Sequence, residues 1–388
     1  MIIIISIIFL LLGVVSSYQK WSVYSRDNNI ILKSTNHNGE IMTLSRFMIE
    51  ATRSNPDGAD LESLVNSISL ACKTISNLAH RIGVSELTGN TVMDNCNLTD
   101  DLSSTQRNCG KNLFEQAKNV LKNSLKFTGK VGLVHSEEDD QTIIFEESWD
   151  SPYIACIDPL DGASNIDVGI VTGTIFGIWK EGDPCLVDFA EEISETAQAC
   201  LLKNLIPGKN LVAAGYCMYS SSSVLMFSMG NNEVHGFTLD TNIGEFVLTH
   251  PNVRVPKRGR YYSLNEANYF KWSSKFRQYV DNIKLGKGEL GLSYTSRYIG
   301  SLVGDCHRTL LNGGIFGYPA DSKRPDGKLR LLHEVAPIAF LFENAGGKAS
   351  TGRGPLLETI PTNINQHVST LLGSYDDVTE AEKYGVDQ

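Results

Sequence analysis

The chain has no C-x-x-C pair, no apolar run as long as a membrane span, no internal repeat and no basic cluster able to follow a nucleic-acid backbone. Each absence closes off a class of protein. The eight cysteines are Cys72, Cys96, Cys109, Cys156, Cys185, Cys200, Cys217 and Cys306. They lack zinc-site spacing, and over 388 residues they are too sparse for the disulfide framework of a small secreted domain. Most suit an interior, as small apolar groups. A net charge of −10 argues against a nucleic-acid partner. The apolar run Ile2 to Val15 is broken only by Ser6 and Gly13 and falls short of the roughly 20 residues a membrane span takes. It has the length of a signal peptide's apolar region, with Val15 and Ser17 as small residues before a cleavage point, but no positive charges precede it. An uncleaved anchor is the alternative.

What remains is ordinary globular material, 41% hydrophobic and 20% charged, long enough for two cores. The pattern divides into a signal-peptide-like segment (1–17), a weakly basic leader or transit segment (18–42), and two α/β units (43–252 and 253–388). Leu61, Leu64, Val65, Ile68, Cys72, Ile75 and Ala79 recur at helical spacing, closed by Gly83. A second helix is predicted over Asn112 to Lys126, after a long polar loop from Gly89 to Lys111. Strands are predicted over Val131 to Val134, Tyr153 to Ile157, Val171 to Trp179, Leu211 to Tyr216, Ser223 to Ser228 and Val234 to Leu239.

Carboxylates stand where these elements end. Glu137 and Glu138 follow the first strand, Asp158 and Asp161 follow the second, and Glu334 precedes the apolar helix predicted over Val335 to Ala345. Carboxylates at strand ends converge more readily than those on exposed helix faces, and oxygen ligands of this kind suit Mg²⁺. Two such ions polarise a phosphoryl oxygen, activate water and neutralise the leaving oxygen. A lone carboxylate is ordinarily a solvated charge. In Asp158-Pro159-Leu160-Asp161-Gly162, however, proline and glycine fix a turn that aims both aspartates. Arg297, Tyr298, Tyr318, Lys328 and Arg330 form a cation and tyrosine set suited to phosphate, with Lys328 and Arg330 expected on one face of a strand.

These runs resemble the fructose-1,6-bisphosphatase family over roughly Thr43 to Ser374. The matching segments are TLSRF at 43–47, DPLDGASNID at 158–167, GTIFG at 173–177, LVAAGYCM at 211–218 and FTLDTNIGEFVL at 237–248. To these are added YSLNE at 262–266, SRYIGSLVGDCHRTLL at 296–311 and GGIFGYPADSKRPDGKLRLL at 313–332. The resemblance implies a two-domain layered α/β/α/β/α fold, with a metal-binding and regulatory N-terminal unit and a substrate-binding C-terminal unit. It implies metal ligation by Glu137, Glu138, Asp158, the Leu160 carbonyl, Asp161 and Glu334, with Mg²⁺ as the ion and Mn²⁺ or Zn²⁺ as substitutes. The phosphate that leaves C1 would sit at Gly162 and Ser164. Asn265, Tyr298 and Tyr318 would hold the other, with Arg297 lent by a neighbouring subunit, and Lys328 would contact the sugar. Glu266 would be structural. Catalytic help would come from Glu138 and Glu115, and a homotetramer is the implied assembly.

Several residues depart from the family's pattern. A loop aspartate expected near Gly110 is missing, Ala163 replaces a serine, and His333 replaces a tyrosine. Acidic residues in Asp57-Gly58-Ala59-Asp60 stand where an AMP phosphate would lie. The insertion around Asp183 to Phe189 resembles the cysteine-bearing loop of plastid members, in which a disulfide matching Cys185 and Cys200 is reduced by thioredoxin. The expected activity is Mg²⁺-dependent hydrolysis of fructose 1,6-bisphosphate, in a plastid reached through a signal-peptide-like leader or else in the cytoplasm. The alternatives are a sedoheptulose-1,7-bisphosphatase or a non-catalytic sugar-phosphate-binding relative.

Overall fold

The computed structural model describes residues 41–53, 58–81, 109–136, 143–144, 153–180 and 206–386, and the backbone of an antiparallel pair, β1 (Lys20–Arg26) and β2 (Asn29–Asn36). Glu137, Glu138, Cys185 and Cys200 lie outside the described residues.

An eight-stranded sheet forms from β3 (Val131–Ser136), β4 (Ile143–Ile144), β5 (Tyr153–Asp161), β6 (Thr172–Lys180), β7 (Leu211–Tyr219), β8 (Ser223–Ser228), β9 (His235–Asp240) and β10 (Glu245–His250). Its order is β10-β9-β8-β7-β6-β5-β3-β4, antiparallel except where β3 runs parallel to β5. The central strands are apolar on both faces, as a sheet covered on both sides requires. On β8, Leu225 and Phe227 face one core while Val224 and Met226 face the other.

Three helices cover the first face: α1 (Leu44–Thr52, capped by Thr43), α2 (Gly58–His80) and α3 (Cys109–Lys126). Helix α3 begins three residues before the predicted Asn112, so Gly110 belongs to a helix and not to the polar loop. On the other face, α5 (Leu302–Asn312) and α6 (Ala336–Asn344) are buried between the large sheet and a five-stranded one. That second sheet contains β11 (Tyr261–Leu264), β12 (Thr295–Ser296), β13 (Ile315–Tyr318), β15 (Lys348–Ser350) and β17 (Thr370–Gly373). A short ladder of β14 (Leu329–Arg330) and β16 (His367–Val368) lies beside it. Its far face is covered by α4 (Ser274–Leu285) and α7 (Tyr375–Tyr384), through Phe276, Tyr279, Val280, Val378 and Ala381. The layers therefore run α/β/α/β/α, as the family resemblance implies. Among the described residues no helix is long and apolar enough to cross a membrane.

Candidate active site

The expected strand ending at Ile157 continues to Asp161, so Asp158 and Asp161 are part of β5 itself. The β5–β6 pairing shifts register between these two residues. A bulge of this kind re-aims side chains, which lets aspartates three apart serve one site. Asp158 is buried, and its Oδ1 accepts the Leu160 backbone amide at 3.0 Å. The Thr174 hydroxyl donates to the Pro159 carbonyl at 2.8 Å and pins the turn. Gly162 follows in the left-handed region (φ 73°), and a Cβ there would press on the Asn165 side chain at 3.1 Å. The chain then enters a short 3₁₀ turn over Ala163–Val168, in which Ser164 is exposed.

Glu334 arrives from the opposite direction, in a wide helical turn over Leu331–Val335 that precedes α6. The Arg330 backbone amide donates to its Oε2 at 2.6 Å. Arg330 thus acts here through its backbone, and only Lys328 of the two expected cations lines the cavities described below. Asp158, Asp161 and Glu334 each present an oxygen within 4.8 Å of the others. Three carboxylates this close repel by about 3 kcal/mol per pair at an effective dielectric of 20, so the group calls for a cation. All-oxygen donors, two of them buried, fit a hard divalent ion. Glu115 is not among these three; it is exposed on α3 and ion-paired with Lys118 at 3.0 Å.

Asp161 is also tied to α5. Its Oδ2 accepts the Ser301 hydroxyl and the Val303 amide, both at 3.0 Å, while Ser301 Oγ accepts from Gly304 at 3.2 Å as the helix cap. One turn on, the buried Asp305 accepts the amides of Ile299 and Gly300 at 3.0 Å and Arg308 Nη2 at 2.6 Å. The segment before the helix is thereby fixed. It carries Tyr298, whose hydroxyl meets that of Tyr318, with Lys328 Nζ 4.8 Å from the Tyr318 ring centroid. Burial, and after it the neighbouring Tyr318, pushes the Tyr298 phenol well above its ordinary range, so its hydroxyl stays protonated. Arg297 is exposed and turns its guanidinium to the Ser296 carbonyl at 3.0 Å.

Two adjoining cavities follow. The smaller, about 50 Å³, is lined by Asp161, Glu334, Tyr298, Tyr318 and Lys328. The larger, about 200 Å³, shares Tyr318 and Lys328 with it and extends to Asn265. Asn265 caps a 3₁₀ turn over Glu266–Lys271 by accepting the Ala267 amide at 3.2 Å. Glu266 faces away, accepting from Tyr262 at 2.6 Å and Lys284 at 2.7 Å. Burial raises its pKa, but these two donors outweigh burial and hold it below the usual carboxylate value. Sequence reasoning did not single out Ser301, Asp305 or the cations at 271, 323 and 324. Its one available signal for the last two was the turn-forming stretch Asp321 to Gly327 just before Lys328.

Comparison with known proteins finds matches along most of the chain. Residues 42–251 match the family described as Fructose-1-6-bisphosphatase, N-terminal domain, and 255–385 match Fructose-1-6-bisphosphatase, C-terminal domain. The chain is 45% identical over 348 residues to fructose-1,6-bisphosphatase 1, chloroplastic, of Arabidopsis thaliana, covering 89% of this chain and 81% of the relative. It is 44% identical to the chloroplastic fructose-1,6-bisphosphatase of Spinacia oleracea, with the same coverages. Among solved structures, holo fructose-1,6-bisphosphatase of Leishmania major superposes with a TM-score of 0.75 at 36% identity, covering 89% of this chain and 99% of that one.

Proposed function

The chain belongs to the fructose-1,6-bisphosphatase family, and on that premise we propose that it hydrolyses fructose 1,6-bisphosphate to fructose 6-phosphate and phosphate. The carrying observation is that Tyr318 and Lys328 line both cavities, one reaching the Asp161–Glu334 carboxylates and the other a cation-rich pocket. A sugar with a phosphate at each end matches such a double site. The reacting phosphate belongs at the carboxylates and the far phosphate beside Tyr298, Tyr318 and Asn265, with Lys328 at the sugar between them.

Asp158, Asp161, Glu334 and the Leu160 carbonyl, joined by Glu137 and Glu138, would hold Mg²⁺, with Mn²⁺ or Zn²⁺ as substitutes. The ions supply Lewis acidity at the phosphoryl oxygens and an acidified water. The chain's own part is to orient. Asp158 is held by the Leu160 amide and Asp161 by Ser301 and Val303, so both carboxylates meet the ion without rearranging. The amides of the Gly162–Ser164 turn suit the departing phosphate. Glu138 and Glu115 are proposed to help the attacking water, Glu115 after leaving Lys118.

The same reading extends to assembly, compartment and control. Exposed Arg297 would complete the far-phosphate pocket of a neighbouring subunit in a homotetramer. The chloroplastic names of the relatives support a plastid location. Thioredoxin would act on a Cys185–Cys200 disulfide, and equal activity before and after dithiothreitol would end that part. Phosphate release from fructose 1,6-bisphosphate, measured against Mg²⁺ concentration and beside sedoheptulose 1,7-bisphosphate, tests the whole. Release comparable to the named relatives is expected. Binding without turnover, the outcome that Gly110 would favour, or a clear preference for the seven-carbon sugar would overturn it.

A further inference from the structure

We infer that Lys271 and Arg324 are recognition residues for the phosphate remote from the metal site, beyond Asn265, Tyr298, Tyr318 and Lys328; this rests on the bisphosphatase reading above. The larger cavity is lined by Lys271, Lys323 and Arg324, none of which borders the smaller cavity at the carboxylates. Lys328 borders both and lies over the Tyr318 ring, so it stands at the junction, where the sugar passes. A phosphate monoester carries close to two negative charges at neutral pH. Within one chain, the tyrosine hydroxyls and the Asn265 amide supply no charge, and Lys328, shared with the cavity at the carboxylates, supplies one against two. Lys271 and Arg324 supply the further positive charge, and they approach from two separate elements.

The Lys271 ammonium and the backbone that carries Arg324 are held in place before any ligand arrives. Lys271 Nζ donates to Asn268 Oδ1 at 2.8 Å, which occupies that amide's oxygen and leaves its NH₂ as what Asn268 offers an anion. The Lys271 carbonyl accepts the Ser322 amide at 3.0 Å, joining the 3₁₀ turn to the loop that carries Arg324. That loop is a closed turn. Buried Asp321 accepts the Lys323 and Arg324 amides at 2.8 Å through Oδ1, and the Gly327 amide donates to the Arg324 carbonyl at 3.0 Å. Asp321 Oδ1 serves two backbone amides and so shapes the turn, and among the described residues Asp321 is the one acidic residue beside the cations that line the cavity. Preorganised cations lose less entropy on binding, and a guanidinium can meet phosphate with two parallel hydrogen bonds.

The test titrates the full chain with fructose 6-phosphate and with fructose by calorimetry, for wild type, Lys271→Ala, Arg324→Ala and Lys271→Arg. Each alanine variant should weaken fructose 6-phosphate binding about tenfold, the loss expected of one charge-assisted hydrogen bond. Lys271→Arg should keep most of the affinity. Turnover of a sugar 1-phosphate, which lacks the remote phosphate, should be unchanged, and so should the melting temperature. Wild-type affinity for fructose 6-phosphate in both alanine variants overturns the inference, as does an equal loss toward the sugar 1-phosphate. If wild type hydrolyses the bisphosphate while the variants bind like wild type, only this inference falls. A wild type that neither hydrolyses the bisphosphate nor binds fructose 6-phosphate overturns the bisphosphatase reading with it.

Discussion

Asp161 Oδ2 takes a 3.0 Å hydrogen bond from the hydroxyl of Ser301, 140 residues away in the chain. The same hydroxyl caps α5 through Gly304, so one serine joins a candidate metal ligand to the helix that anchors Tyr298. The carboxylate cluster and the segment carrying Tyr298 are therefore braced by one helix.

Ser301→Ala should raise the Mg²⁺ concentration for half-maximal activity about tenfold, the lower end for losing a group that orients a metal ligand. Loss of the helix cap should cost about 1 kcal/mol of stability besides. A Mg²⁺ titration of activity, run beside thermal melts, separates the two; an unshifted titration curve would count against the role given to Ser301.

Asp161→Asn removes one of three mutually repelling carboxylates. Without metal the variant should melt no lower than wild type. With Mg²⁺ at about 100 times the wild-type Kd, wild type should gain about 2.7 kcal/mol and the variant far less. Melting curves with and without Mg²⁺ check this, and equal gains in both proteins would remove Asp161 from the metal site.

Asp305→Asn keeps the shape but has one acceptor oxygen for the two amides and the Arg308 guanidinium that the carboxylate now holds. Breaking this buried pair should cost about 3 kcal/mol of stability. With the segment around Tyr298 loosened, KM for the bisphosphate should rise severalfold, while the Mg²⁺ dependence changes less. Steady-state kinetics over both concentrations would show it.

Glu343 on α6 is a pH-sensitive point away from the site. Burial, and then the nearby Glu358, pushes its carboxyl up to about 7 against Lys348, which lowers it. A carboxyl whose pKa rises on folding binds more protons in the folded state between its ordinary value of 4.5 and about 7. Stability from this group is therefore lost as pH rises through that window. Partial exposure limits the effect to about 1–2 kcal/mol. Glu343→Gln should flatten the decline, seen as a melting-temperature difference that widens from pH 5 to pH 8.

Local order was legible because it is written in period and punctuation. The apolar repeat from Leu61 to Ala79 gave a helix, and β-branched and aromatic runs gave strands to within a few residues. Asp158-Pro159-Leu160-Asp161-Gly162 announced a turn that brings two aspartates to one place, since proline, glycine and paired aspartates each act on their own neighbourhood. What periodicity leaves open is where a pattern stops. The strand through Asp158 runs on to Asp161 because pairing with Ile175 and Gly173 of β6 holds it there. Helix α3 takes in Gly110, which reads as loop by composition.

The sequence by itself determined the α/β class, the two aspartates and the family, because these rest on short-range pattern and on extended runs of matching residues. Only the tertiary structure decided that Glu334 joins Asp158 and Asp161, that Ser301 and Asp305 brace the site, and that Lys271 and Arg324 share a cavity with Lys328. The reason is physical. A carboxylate's or an ammonium's chemistry depends on which charges lie within a few ångströms, and packing sets that distance across gaps of 140 residues that no local spacing encodes.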